Sequence, residues 1–599
     1  MKIDNRRVNG ANNSSGFDQV RRAKDAKGTL KRIWAYLSKQ KKALTLVILL
    51  IIVTSILGIL GSYLIGFTID NYIINKNLDG TLKMLGIMAI VYISNSLLTW
   101  LQTYIMVIIS QKTIKNIRAD LFSKFQTLSL RFFDNHPHGE LMSHVTNDID
   151  NLNNALTQGV IQFLTSVLTI IGVTIAMLFL NWIMAIVAFI IIPVILLITR
   201  KLSRFTKDAF IRRQETLGEL NGFIEETIGG QEIIALFGQE EEVFDNFKVS
   251  NDNLKEASLK AEIYSGIMNP LMNFVNNLDF ALVVAVGGFL TLKNLATIGI
   301  IATFVNYARQ FSRPLNQLAT LYNTIQAAIA GGERVFKIMD EVPDIVDSND
   351  AKDIESLKGE VVFNDVSFGY NEEKMVLKNI NLNAKPGESI ALVGPTGSGK
   401  TTVINLLTRF YDINSGEIKI DGLDIKNYTI DSLRENIGVV LQDSFLFSGT
   451  IKDNIKYGRL EATDEEVIEA AKLANAHSFI DYLPDKYDTI VAAQGENLSQ
   501  GQRQLISIAR ALLSNPNILV LDEATSNIDT RTELQIQEGL NNLMKGRTSF
   551  IIAHRLKTIE EASKIIVIKS GEIIERGNHK SLIESKGFYY ELYTSQFKI

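Results

Sequence analysis

The stretch SIALVGPTGSGKTTVINLL, residues 389–407, decides the fold. Ser389–Val393 is an apolar run of strand length, and Thr401–Leu407 has the spacing of a helix. Between them stands GPTGSGKT, Gly394 to Thr401. Glycines let a backbone wrap around phosphate, with N–H groups and a helix N-terminus pointing at the anion. Lys400 would reach the terminal phosphates, and the Thr401 hydroxyl would hold Mg²⁺. The order strand, glycine loop, helix predicts an α/β domain that touches nucleotide through Gly394, Pro395, Thr396, Gly397, Ser398, Gly399, Lys400, Thr401 and Thr402.

Working outward, NILVLDE (517–523) predicts a buried parallel strand that delivers two acids at its carboxyl end, where ligands bind in open α/β sheets. Asp522 would anchor Mg²⁺ through water, and Glu523 would take a proton from the attacking water. In ENLSQGQRQLISIARAL, residues 496–512, Ser499, Gly501 and Gln502 precede a helix and form a second anion-directed terminus. One nucleotide does not need two such termini from one domain. The second would therefore grip the γ-phosphate of ATP held by another copy or a partner; the plainer alternative is an ordinary helix cap.

The rest of the chain is of another kind. Its 599 residues are 46% hydrophobic and 21% charged, with 61 Lys and Arg against 65 Asp and Glu, which argues against a nucleic-acid binder. The absence of cysteine excludes disulfides, thiolate metal sites and thiol catalysis. Six apolar stretches, 43–69, 84–110, 156–180, 183–198, 263–292 and 297–329, suit a bilayer core of roughly 30 Å. Basic residues crowd one side: 12 in residues 1–42, five in 111–154 and nine in 200–262, against Lys76, Lys83 and Lys293 opposite. Both termini and the two long connections are thus expected in the cytoplasm. Segment 200–262 reads as amphipathic helix on both sides of a break near Gly229–Gly230, long enough to reach a cytosolic domain. Residues 29–40 read as a surface helix with Ile33, Trp34 and Leu37 inward. Asp279, Arg309 and Arg313 lie within spans, where a charge must be paired, wetted or at the interface.

These residues together resemble an ABC exporter half-transporter from about residue 30 to the end. The expected fold is a six-helix α transmembrane domain fused to a C-terminal α/β P-loop nucleotide-binding domain. Its parts are a polar tail (1–28), a membrane domain (29–329), a linker (330–358) and an ATP-binding cassette (359–599). The resemblance implies further site residues. Tyr370 in SFGY would stack on adenine, unless it merely packs. Gln442 in VVLQD would ligate Mg²⁺ and sense the γ-phosphate, and Asp529 in SNIDT would lie in the loop across the dimer interface. His554 in IIAHR would orient the γ-phosphate and water. FFDNHPHGELMSHVTNDID and LGELNGFIEETIGGQEIIALFGQEE are similar to the family's cytoplasmic loops, whose tips dock on the cassettes, one of them on the partner's.

Three departures matter. The signature reads LSQGQ with Gln500, AAQ (Ala492–Gln494) replaces the usual Gly-Glu-Arg, and SNID replaces SALD. With Glu523 intact, this resembles the catalytic-acid-bearing subunit of heterodimeric bacterial multidrug exporters, and implies a second half-transporter as partner. The implied function is ATP-driven export of small amphipathic or hydrophobic compounds across a bacterial cytoplasmic membrane, using ATP and Mg²⁺. A homodimeric lipid flippase or peptide exporter is the alternative. An ATP-gated channel or regulatory membrane ATPase is the reading from another class.

Overall fold

A computed structural model of the chain describes residues 25–597 apart from 372–373, 443, 524–527 and 554–558. The chain forms two compact units. One comprises the chain up to Gln126 together with His138–Glu341, the other Thr127–Pro137 together with the chain from Val342 onward.

The first unit is helical. After the short helix Ala26–Ser38, five helices among the described residues are long and apolar enough to cross a membrane: Lys41–Ile73, Leu78–Thr127, His138–Leu180, Trp182–Gly229 and Glu240–Leu292. The sixth expected span falls within helix Ile298–Asp340, outside those five, because Asn306, Arg309, Gln310, Ser312 and Arg313 dilute its apolar surface and Pro314 interrupts it. The centre of the unit is Val173, Met177, Met184, Val283, Phe304 and Tyr307, while large apolar side chains such as Ile90, Trp100 and Phe179 face outward. Outward apolar surface of that extent is what lipid contact requires.

Polar groups fix the seams between spans. The Tyr307 hydroxyl donates to the Ile59 carbonyl at 3.1 Å, and Gln310 Nε2 donates to Ser62 Oγ at 2.6 Å. Further along the same pair of helices, Asp70 accepts from Thr297 Oγ1 at 2.5 Å and from the Gly299 N–H at 2.7 Å. A Cβ on Gly66 would collide with the Gly299 carbonyl, so a glycine at each position lets the backbones touch. Asn181 ends one span and starts the next: its Oδ1 caps the Ile183 and Met184 N–H groups, both at 3.1 Å. Asp279 is buried and its Oδ1 has no hydrogen-bond partner, and the Arg309 guanidinium lies 5.8 Å from the Phe280 ring.

Helix Ile191–Gly229 continues beyond the apolar stretch and packs beside Glu240–Gly266, with Arg213 and Glu262 paired at 2.9 Å. The expected break at Gly229–Gly230 is present. A second follows at Gly238, where φ is +59°, and the two isolate a short tip helix, Gln231–Phe237. In Ala26–Ser38, Ile33 and Leu37 are buried as expected, but Trp34 is 58% exposed. The buried positions are Thr29, Ile33 and Leu37, an i, i+4, i+8 line, and Trp34 stands about 100° around the helix from Ile33 on the outer side.

The second unit is α/β. Its strands are β1 (Val361–Phe368), β2 (Leu377–Ala384), β3 (Ser389–Val393), β4 (Ser415–Ile420), β5 (Leu423–Asp424), β6 (Ile437–Val440), β7 (Gly449–Thr450), β8 (Ile490–Val491), β9 (Ile518–Glu523), β10 (Thr548–Ala553), β11 (Lys564–Lys569) and β12 (Glu572–Gly577). An antiparallel sheet runs β2-β1-β4-β5, and a six-stranded sheet runs β12-β11-β3-β10-β9-β6, parallel except at β12. Strands buried on both faces explain the unbroken apolar runs of the sequence. Ile390, Leu392, Val520 and Phe550 enter one core, and Ala391, Val393, Leu519, Leu521 and Ile551 the other.

Candidate active site

The parallel strands assemble the site by register. β3 ends at Val393 and hands the chain to Gly394. Its neighbour β10 pairs Ile552 with Leu392, and β9 beyond it pairs Asp522 with Ile552 and Glu523 with Ala553. β6 pairs Val440 with Leu521, and exposed Gln442 follows two residues later. The glycine loop, the two acids and the glutamine thus emerge from the carboxyl edge of one sheet. Glu523 is the last residue of β9; His554, the residue after Ala553, lies outside the described residues.

The loop itself is a cradle. Pro395, Thr396 and Gly397 are exposed over buried Ser398, Gly399 and Lys400. Gly397 and Gly399 have φ of +77° and +106°, which only glycine adopts without strain. A Cβ on Gly394 would strike the Ile568 carbonyl. Lys400 Nζ donates to the carbonyls of Gly394 at 2.8 Å and Pro395 at 3.0 Å, so the ammonium sits inside the loop. Burial pushes this ammonium below its usual value, and the Asp522 carboxylate opposes that shift. Ser398 Oγ is buried without a hydrogen-bond partner. A buried orphan hydroxyl beneath a cationic loop fits an anion with several acceptor oxygens. Thr401 is exposed on the first turn of helix Lys400–Leu407, and Thr402 is buried behind it.

Tyr370 is 37% exposed, and its ring meets Phe368 and Tyr411 edge-on, each at 5.0 Å between centroids. Its hydroxyl lies 3.3 Å from Thr402 Oγ1 and accepts from Asn405 Nδ2 at 3.3 Å. The ring is therefore propped as a platform beside the loop helix. Sequence reasoning missed Asn405 and Tyr411, because their contacts with Tyr370 join parts of the chain more than thirty residues apart. Tyr411 also donates to Asp134, and the Arg131 guanidinium lies 5.9 Å from its ring. Both belong to helix Leu130–Asn135, in the segment that packs with this unit.

Ser499 caps helix Gln500–Ser514. Its Oγ accepts from the Gln502 N–H at 3.2 Å, and Gln502 Oε1 accepts from the Ser499 N–H at 2.9 Å. Within the chain, each of these two side-chain oxygens thus accepts from the other residue's backbone N–H. Gly501 is buried against helix Thr530–Met544, where a Cβ would meet the Thr532 methyl. Helix Gln500–Ser514 packs on Ile451–Lys456, Asp464–Leu473, Thr530–Met544 and strand β6. The Ala492–Gln494 segment is shaped by Asn497 and Arg503. Asn497 Oδ1 accepts from the Ala492 N–H at 2.9 Å, and Arg503 donates to the Leu498 and Gly495 carbonyls at 2.8 and 3.3 Å. Asp529 caps Thr530–Met544, and hydrogen bonds from Thr532 and Arg531 hold its carboxyl below the ordinary value.

Comparison with known proteins agrees with this geometry. Residues 44–315 match the ABC transporter transmembrane region, and residues 377–526 match the ABC transporter family. The uncharacterized ABC transporter ATP-binding protein YfiC of Bacillus subtilis is 49% identical, over 97% of this chain and 96% of its own length. A fatty acid ABC transporter ATP-binding/permease protein of Mycobacterium bovis is 42% identical, over 85% and 80%. An ATP-dependent lipid A-core flippase of Syntrophus aciditrophicus is 38% identical, over 90% and 89%.

Proposed function

The chain belongs to the ABC transporter family, whose members couple ATP hydrolysis to transport, and from that premise we propose that it exports lipid-like or amphipathic compounds as one half of a dimer. Relatives named for fatty acids and for lipid A-core support a lipid-type cargo. The orientation that basic residues favour puts the cassette and both termini in the cytoplasm.

One observation carries the dimer: a single cassette presents two helix N-termini that we read as phosphate-directed, after Gly399 and after Ser499, on two different helices. Each terminus can serve a nucleotide only if the other half of that nucleotide's site comes from a second cassette. The helix tip Gln231–Phe237 points the same way. Leu236 and Phe237 are 75% and 74% exposed on this chain, and apolar groups of that size at a helix tip call for a cover, here the partner's cassette.

In the composite site, Lys400 and the loop amides hold the terminal phosphates and Tyr370 carries the base. Glu523 takes the proton of the attacking water, and His554 orients that water. Thr401, Gln442 and Asp522 offer hydroxyl, amide and carboxylate oxygens, the hard donors Mg²⁺ prefers, and the bound ion would neutralise developing phosphate charge. Two ATP molecules clamped only in the closed state supply the differential binding that turns the membrane cavity outward. A shift from 1:99 to 99:1 takes about 5.5 kcal/mol.

Gln500 and Ala492–Gln494 favour a partner with its own signature, making two unequal sites. The complete set Lys400, Gln442, Asp522, Glu523 and His554 favours the second reading, a homodimer with two active sites. Purification alone and with the neighbouring half-transporter separates them. Glu523→Gln should keep ATP binding, lose turnover by about 10²–10⁴-fold and trap an ATP-dependent dimer. Near-normal hydrolysis by that variant, or no dimer with any mate, would overturn the scheme.

A further inference from the structure

We propose that helix Ala26–Ser38 is a binding surface for anionic lipid headgroups, and that through it the charge of the bilayer acts on ATP turnover. The helix has two unlike faces. Inward, Thr29, Ile33 and Leu37 are buried. Outward, Lys27, Leu30, Lys31 and Trp34 form one exposed stripe at helical spacing, with Leu30 at 49% and Trp34 at 58%. Three residues after the helix ends at Ser38, Lys41 opens the first apolar helix, so this stripe lies at the height where that helix enters the bilayer. Lys39, Lys41 and Lys42 are exposed beside it, and the chain holds no acid from Ala26 to Lys42. An indole and a leucine between unopposed lysines match the boundary of an anionic membrane, with the apolar groups among the acyl chains and the ammonium groups at phosphate level. Each lysine near such a surface favours anionic over neutral lipid by about fivefold.

The inward face gives that contact a consequence. The Arg32 guanidinium lies 4.4 Å from the Phe336 ring, donates to the Phe336 carbonyl at 3.4 Å and pairs with Asp340. The Tyr36 ring stacks on Phe336 at 6.2 Å, and its hydroxyl donates to Asp120 at 2.7 Å. Burial, then the Asp120 carboxylate, push that phenol up to about 12, so the bond persists at neutral pH. The Asp25 N–H donates to Glu333 at 3.1 Å. The helix thus grips the last two turns of Ile298–Asp340 and the far end of Leu78–Thr127, the two long helices that lead into the cassette unit's segments. Anionic lipid that seats the outward face steadies both ends; neutral lipid leaves the helix without its counter-charge.

Trp34 supplies the probe. With Trp100→Phe and Trp182→Phe it becomes the only indole in the full-length chain, read in nanodiscs carrying brominated phosphatidylglycerol or brominated phosphatidylcholine at equal mole fraction. Brominated phosphatidylglycerol should quench at least twofold more. Lys27→Gln with Lys31→Gln should shrink the difference, and Lys→Arg at both positions should keep it. Equal quenching by the two lipids overturns the site. In unbrominated nanodiscs, ATP turnover should rise severalfold with phosphatidylglycerol for the parent and the Arg variant but not for the Gln variant. Lipid preference without that rise overturns the coupling. This second arm rests on the transport ATPase reading, and no turnover in any lipid would count against that reading while quenching still judges the lipid site.

Discussion

Asp148 is buried, yet its carboxyl is held below the ordinary carboxylate value. Burial pushes it up, but hydrogen bonds from His144 and then Arg334 outweigh burial. His144 Nδ1 lies 2.7 Å from Oδ2, Arg334 Nε donates to Oδ2 at 2.9 Å, and a second Arg334 nitrogen bonds Oδ1. Glu140 faces the other side of His144 at 3.7 Å. The ionised carboxylate therefore stitches the segment after His138 to helix Ile298–Asp340. A folded value below the unfolded one, about 3.9, means the stabilisation is complete above that pH and is lost as pH falls through the folded value. Asp148→Asn should cost about 2 kcal/mol at pH 7, since Arg334 keeps access to water. Thermal unfolding in detergent should show a midpoint several degrees lower at pH 7, with the gap to the parent closing below about pH 4. A gap of the same size at pH 7 and pH 3 would contradict this account.

Short helices carry the connections that no periodic pattern announces. Leu130–Asn135 is six residues long, too short to be stable alone. It is ordered by Tyr411 bonding Asp134, with Ser129 and Arg131 reaching Asp344 at 3.4 and 3.8 Å. The Tyr411 ring meets Tyr370 edge-on, so the platform beside the glycine loop and this helix share one side chain. Tyr411→Phe keeps the ring and removes the bond to a carboxylate, worth about 1.5–3 kcal/mol. Nucleotide affinity should change less than about twofold, whereas amide exchange across residues 130–135 should speed up about tenfold or more. Unchanged exchange would mean that the bond orders nothing. The elements holding Gly394–Thr402, Asp522 and Ser499 were all legible in advance, because a glycine loop, an acid-ended strand and small polar residues before an apolar-periodic helix are local patterns. Trp34 was misplaced because one residue of helical rotation separates two faces, and only the position of Phe336 selects between them.

The whole molecule joins a lipid-facing bundle to a cassette, and the tip Gln231–Phe237 leaves Leu236 and Phe237 exposed. Changing Leu236 and Phe237 to Ser should leave ATP binding intact and abolish stimulation of hydrolysis by transported compounds in the purified dimer. Stimulation at the parent level would show that the tip needs no cover. By itself the sequence determined the class of each half: runs of apolar residues must leave water, and the phosphate loop depends on glycines and a lysine within eight consecutive positions. Only the tertiary structure decided which residues meet at a distance: Asp70 with Gly299, Asp148 with Arg334, and Tyr411 with Asp134. The reason is physical. Local patterns follow from backbone geometry and hydropathy within a few turns, whereas each of those pairs depends on how helices and strands far apart in the chain come to pack.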